Sequence, residues 1–287
     1  MNQSYTTFFK HLLVFFGFIV LSMAFFSPVV QGKKIYQSDI VQYTGMAKQQ
    51  LDFKKDTGRE TYWTNSAFGG MPTYQLGAKY PYNFIKKLDL SLRFLPRPAD
   101  YLFLYLMGFY ILLLSFRIDF RMAVLGALAF GFSTYLIIII GVGHNAKAHA
   151  IAYMPLVLSG ILLTFQKRYR LGFVLTTISV ALELVANHFQ MTYYLLFVIL
   201  FIVMAYAAKS IRNKEIPSFI KATLILIVAA GFAIAMNATN LLATSEYAKQ
   251  STRSQSELTI LADGGERPKT SGLDKNYITQ YSYGIFE

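Results

Sequence analysis

Seven apolar runs, at 11–30, 100–116, 122–142, 150–166, 171–187, 190–208 and 222–243, alternate with short clusters of Lys, Arg, His and Asn. Each run approaches the roughly 20 residues that cross about 30 Å of hydrocarbon. Within lipid, a helix satisfies every backbone group internally, whereas an open strand leaves an unpaired edge. The pattern therefore predicts an all-α integral membrane protein with about seven transmembrane helices. The first run is too long for the apolar region of a cleaved signal peptide, and no small-x-small cleavage pattern precedes Pro28.

Two polar stretches interrupt this rhythm. Residues 31–99 form a large loop between the first and second spans, with short helices of its own, and 244–287 form a Ser/Thr/Gly-rich tail. This divides the chain into a seven-helix module over 1–243 and the start of a further outer-face segment at 244–287. The abrupt end of that tail at Glu287 suggests a longer parent protein. Within the loop, Ser38 and Asp39 precede a helical stripe of Ile40, Val41, Thr44, Ala47 and Leu51. Gln42 follows Asp39 by three residues, as in a capping box, and Gly58 stands near the expected helix end. Turn chemistry recurs at Phe68-Gly69-Gly70-Met71-Pro72-Thr73-Tyr74, after the only tryptophan, Trp63.

Composition agrees with the membrane reading: 54% of the 287 residues are hydrophobic and 15% are charged, against about 25% charged in a soluble domain. The net charge of +12 would suit a nucleic-acid partner, but the short-loop charge falls at alternate ends of the apolar runs. One set of ends holds Lys10, Arg117, Arg121, Lys167, Arg168, Arg170, Lys209, Arg212, Lys214 and Lys221, while the opposite short loops hold only Lys147. This asymmetry places the first set and the N-terminus in the cytoplasm, with the large loop outside. The complete lack of cysteine excludes disulfides and thiolate metal sites.

Polar residues converge on the predicted outer side: Asp39 after span one, His144 to His149 between spans three and four, and Glu183 to Gln190 between spans five and six. Glu183, Asn187 and Gln190 are spaced i, i+4, i+7, so a continuing helix would align them on one face. They would then form either a substrate contact or a buried network fixing helix packing. His144, Lys147 and His149 offer donors suited to phosphate oxygens, and His188 joins the same candidate substrate-binding set. Asp39 is the candidate catalytic residue, able to take a proton from a hydroxyl, to ligate a divalent cation, or to cap the loop helix. Zinc on the histidines and Glu183 matches none of the short metal motifs.

Ser38-Asp39-Ile40-Val41-Gln42, Gly69-Gly70-Met71-Pro72-Thr73-Tyr74, His144-Asn145-Ala146-Lys147-Ala148-His149 and Asn187-His188-Phe189-Gln190-Met191-Thr192-Tyr193-Tyr194 resemble the bacterial YfhO-like membrane proteins. The layout of a helix, a long loop opening with an acidic residue and six further spans resembles the module of GT-C-type membrane glycosyltransferases. The resemblance implies transfer of a sugar from a polyprenyl-phosphate donor to a glycan, lipid or protein acceptor of the cell envelope, on the outer face of the bacterial cytoplasmic membrane. It puts Asp39 in the catalytic or metal-linked place, although the tandem acidic pair of some relatives is absent. A non-catalytic carrier or assembly protein for lipid-linked glycans would use the same phosphate-binding residues.

Overall fold

The computed structural model describes residues 3–250, 260, 264–265 and 275–280, so most of the predicted outer-face segment at 244–287 lies outside the described residues. In chain order the helices are α1 (Gln3–Phe25), α2 (Ser27–Val30), α3 (Ser38–Met46), α4 (Lys48–Thr57), α5 (Phe84–Leu92), α6 (Ala99–Ser115), α7 (Phe120–Gly131), α8 (Thr134–Val142), α9 (Asn145–Phe165), α10 (Tyr169–Val185), α11 (Phe189–Arg212), α12 (Ile216–Met236), α13 (Ala238–Ala248) and α14 (Lys275–Thr279). Among the described residues the structure is nearly all helical, and it includes a short antiparallel pair, β1 (Trp63–Thr64) with β2 (Met71–Pro72).

Among the described residues, four helices are long and apolar enough to cross a membrane: α1, α9, α11 and α12. The predicted span at 122–142 is broken into α7 and α8, bent by 46°. Gly131, Phe132 and Ser133 interrupt it, and extended backbone at Ser133 starts the second piece. The pair counts as a fifth span if taken together. The helices at the two remaining predicted positions, α6 and α10, have 17 residues each.

Three helix ends share one device. Arg117, Lys167 and Lys214 adopt φ of 62°, 67° and 57° immediately after the last turns of α6, α9 and α11. Their N–H groups, and those of the residues that follow, donate to the last free carbonyls: Arg117 to Leu114 and Ile118 to Leu113, Lys167 to Thr164 and Arg168 to Leu163, Lys214 to Ile211 and Glu215 to Ser210. These are Schellman closures built without glycine, and the basic side chains stand where a terminal carbonyl dipole favours positive charge.

The described residues fall into two compact units, one of Met1–Met46 with Lys79–Asn237 and one of Ala47–Ala78 with Ala238–Glu287. In the first, α9 is the central helix: 72% of its apolar window is buried, against 11% for α11 and 17% for α12. Large side chains such as Phe201 and Ile227 on α11 and α12 stay more than half exposed, as a lipid-facing surface requires. The α9–α10 contact is reciprocal. A Cβ added at Gly160 would meet the Thr176 amide nitrogen at 2.6 Å, and one at Gly172 would meet the Thr164 nitrogen at 2.7 Å. Glycine and threonine four residues apart on each helix thus bring the backbones together, the small-residue packing that membrane helices use. Because backbone rather than a flexible side chain blocks the space, Gly160→Ala is expected to destabilise the protein by about 1–3 kcal/mol. Thermal melting in detergent checks this, and an unchanged midpoint would show that the helices can separate freely.

In the second unit, Gln49 Oε1 accepts from the Thr64 hydroxyl at 2.7 Å and from the backbone N–H of Asn65 at 2.7 Å and Ser66 at 3.1 Å, which ties α4 to the β1 turn. The predicted turn at 68–74 is present. Gly70 has φ of 122°, and a Cβ there would lie 2.9 Å from the Trp63 ring, so the tryptophan requires glycine beneath it.

Candidate functional site

The chain entering α3 is fixed to the α8–α9 turn before any chemistry is considered. Buried Gln37 donates from Nε2 to the Ile140 carbonyl at 2.6 Å and accepts from Asn145 Nδ2 at 3.4 Å. Gly143 closes α8 with φ of 98°, and a Cβ there would stand 2.8 Å from the Gln37 Cβ. This docking brings Asp39 Oδ2 to 2.7 Å from His144 Nδ1, with both side chains about two-fifths exposed.

The expected capping box does not form. Asp39 lies inside the first turn of α3, and the N–H groups of Ile40 and Val41 donate to the Gln37 carbonyl. The Asp39 carboxylate bonds to His144 rather than to the helix end. The predicted stripe to Leu51 is also divided at Ala47 into α3 and α4, and Gly58, with φ of 69°, ends α4 as expected. A carboxylate on Nδ1 fixes the imidazole orientation and leaves Nε2 for another partner.

Further basic groups stand close by. Lys147, half-buried in the first turn of α9, makes no hydrogen bond or ion pair among the described residues. His188 caps α11, its Nδ1 accepting from the Met191 N–H at 3.4 Å. Burial lowers the His188 pKa, and the positive charge of Lys147 lowers it further. The free amide groups of the α9 N-terminus add positive potential at the same end. Asp39, His144, Lys147 and His188 are therefore gathered together, and the arrangement can hold an anion beside a carboxylate–imidazole pair.

Other predicted site residues are placed elsewhere. Asn187, with φ of 56°, ends α10, so the helix does not continue and Glu183, Asn187 and Gln190 share no helical face. Exposed Gln190 donates to the Tyr194 hydroxyl at 2.7 Å. Glu183 is 1% exposed, and both its oxygens lie 2.9–3.0 Å from the Thr192 hydroxyl that donates to them.

His149 belongs to a second cluster, centred on Asp89, a residue with no role in the sequence reading. Asp89 is fully buried on α5 and accepts from His149 Nε2, from the Tyr153 hydroxyl at 3.0 Å, from Arg93 Nε at 3.1 Å and Nη2 at 2.9 Å, and from Lys86 Nζ at 3.0 Å. Burial by itself would raise the Asp89 pKa, but the hydrogen bonds from His149 and Arg93 and the charge of Lys86 outweigh it and hold the carboxyl well below its usual range. Arg93 also reaches Asp100 at 3.5 Å. The available signal was the i, i+4 spacing of Asp89 and Arg93 within a short apolar segment.

Among the described residues, no three His, Cys, Asp or Glu side chains are gathered to hold a metal ion. Asp39 is a single exposed carboxylate, and a divalent ion that keeps its waters and shares a donor phosphate would ask no more than one or two carboxylates of the protein. A hollow lined by Phe165, Lys167, Tyr206, Glu215 and Phe219 holds none of these residues. Comparison with known proteins finds no matching family model, no matching curated protein and no matching solved structure.

Proposed function

We propose that the chain is the membrane module of a YfhO-like, GT-C-type glycosyltransferase, moving a sugar from a polyprenyl-phosphate donor to a cell-envelope acceptor on the outer face of the cytoplasmic membrane. The observation that carries this reading is the Asp39–His144 pair, 2.7 Å apart and open to solvent, beside the uncommitted Lys147. In this topology α1, α6, the bent α7–α8 pair, α9, α10, α11 and α12 make seven spans. The basic ends at Arg117, Lys167 and Lys214 face the cytoplasm, and the dyad faces outward.

The donor phosphate sits at Lys147 and the α9 N-terminus, with His188 alongside. The bond between the anomeric carbon and the phosphate oxygen breaks, and the phosphate keeps the electron pair. The charge that grows on it is met by fixed positive groups. The acceptor oxygen bonds to the same carbon, and its proton passes to Nε2 of His144, which Asp39 holds in orientation. Lys147→Ala is expected to raise the donor concentration for half-maximal transfer by about 10-fold or more, the effect of losing one charged hydrogen bond, with residual turnover at high donor. Transfer of a labelled sugar from polyprenyl phosphate in membranes measures this; unchanged donor dependence would remove the anion site.

A further inference from the structure

We infer that α5 with Phe94 is an interfacial anchor, lying at the headgroup–acyl boundary of the leaflet at the N-terminal end of α9 and binding anionic lipid there. The sequence reading placed this segment in a polar loop outside the membrane.

Three observations converge. Depth comes first. Asp89 on α5 bonds to His149 and Tyr153, four and eight residues beyond the Asn145 start of α9. At about 1.5 Å per residue, α5 is held about 6–12 Å below the end of that helix, the depth at which amphipathic interfacial helices lie. The second observation is the unpartnered apolar surface. Ile85 and Leu92 pack against the core, whereas Phe84, Leu90 and Phe94 are 69%, 55% and 54% exposed. Tyr82, just before the helix, is 82% exposed. Residues held in water would gain nothing from this display, while acyl chains and headgroups would cover it.

Charge is the third. Between Lys79 and Asp100, the basic residues Lys79, Lys86, Lys87, Arg93 and Arg97 outnumber the acids Asp89 and Asp100. Lys86 and Arg93 are committed to Asp89, and Arg97 stands 3.9 Å from Asp100. Lys87 instead holds its ammonium over the Phe84 ring, 5.1 Å from its centroid, a cation–π pair that keeps a basic group beside an exposed aromatic, as suits an anionic membrane surface. A soluble protein partner would be expected to present acidic side chains to this face. The depth fixed by Asp89 favours lipid.

The native chain has no cysteine, so single-site labels report without background. Leu90→Cys and Phe84→Cys, each carrying an environment-sensitive fluorophore on the full chain in vesicles of phosphatidylcholine and phosphatidylglycerol, should emit to the blue of the same label on a small thiol in buffer. Brominated acyl chains should remove about half or more of their emission, as for a group about 5–10 Å into the leaflet. Iodide in the buffer should quench the free label and leave the α5 labels bright. Replacing the anionic lipid by phosphatidylcholine should shift the α5 labels toward the red, and Lys87→Gln should reduce that difference. Iodide quenching of the α5 labels, or blue emission indifferent to brominated lipid, would overturn the proposal. The first would place α5 in water and the second under protein. Equal emission in both lipid mixtures would overturn its anionic part. None of these outcomes depends on sugar transfer.

Discussion

Asp39→Asn is expected to give a folded protein whose sugar transfer falls by at least about 100-fold, the usual contribution of a positioned acid–base group. The pair with His144 is partly solvated, and such ion pairs contribute about 0–1 kcal/mol, so the melting temperature should move little. Gln37 and Gly143, not the Asp39 side chain, dock this segment on the α8–α9 turn. What the amide removes is charge and direction. It can offer an N–H to Nδ1 as readily as it accepts one, so the imidazole is free to place its own proton on Nε2, where the lone pair is required. Transfer of a labelled sugar from polyprenyl phosphate, measured beside thermal melting of the same preparation, checks both halves. Full turnover in a folded Asp39→Asn protein would remove Asp39 from the step, and no transfer by the parent itself would favour the carrier reading of the site.

Asp89→Ala should do the opposite, damaging stability first. Removing this carboxylate leaves Arg93, Lys86, His149 and Tyr153 without their shared acceptor. Breaking a buried ionic group by deleting one side typically costs about 3–5 kcal/mol, and here the buried Arg93 charge would keep only the longer contact to Asp100 at 3.5 Å. Asp89→Asn keeps the shape and part of the hydrogen bonding, and should fall between Asp89→Ala and the parent. Unfolding midpoints in detergent or nanodiscs decide the matter: a loss below about 1 kcal/mol for Asp89→Ala would mean that water reaches the cluster and screens it.

The helical runs were legible because crossing hydrocarbon imposes a length that few other structures need. Their polar interruptions fell where Arg117, Lys167 and Lys214 turn the chain. The break between α7 and α8 was not legible, since Gly131, Phe132 and Ser133 are ordinary inside an apolar run and only their backbone geometry separates two helices. His144 and His149 were grouped by nearness in sequence. The former precedes α9 as its cap and the latter lies within the helix on a buried face, so they meet different carboxylates. The face shared by Glu183, Asn187 and Gln190 was conditional on a helix that the left-handed backbone of Asn187 stops. Asp89 was overlooked because a lone acid in a short loop segment reads as a solvated residue. Its burial depends on α9, some 60 residues away in sequence.

Both carboxylates of the 31–99 segment that reach the first unit's core elements end at one helix, α9, through a histidine at its cap and another in its second turn, but under different dielectric conditions. The Asp39 contact can exchange with water at little cost, whereas the Asp89 contact cannot. One contact therefore answers to the solution and the other does not. Added salt should weaken the Asp39–His144 contact and leave the Asp89 cluster unmoved, while buried Gln37 keeps α3 on the α8–α9 turn. A bulky acceptor could therefore meet an imidazole ring that adjusts to it without displacing the helix that carries its partner.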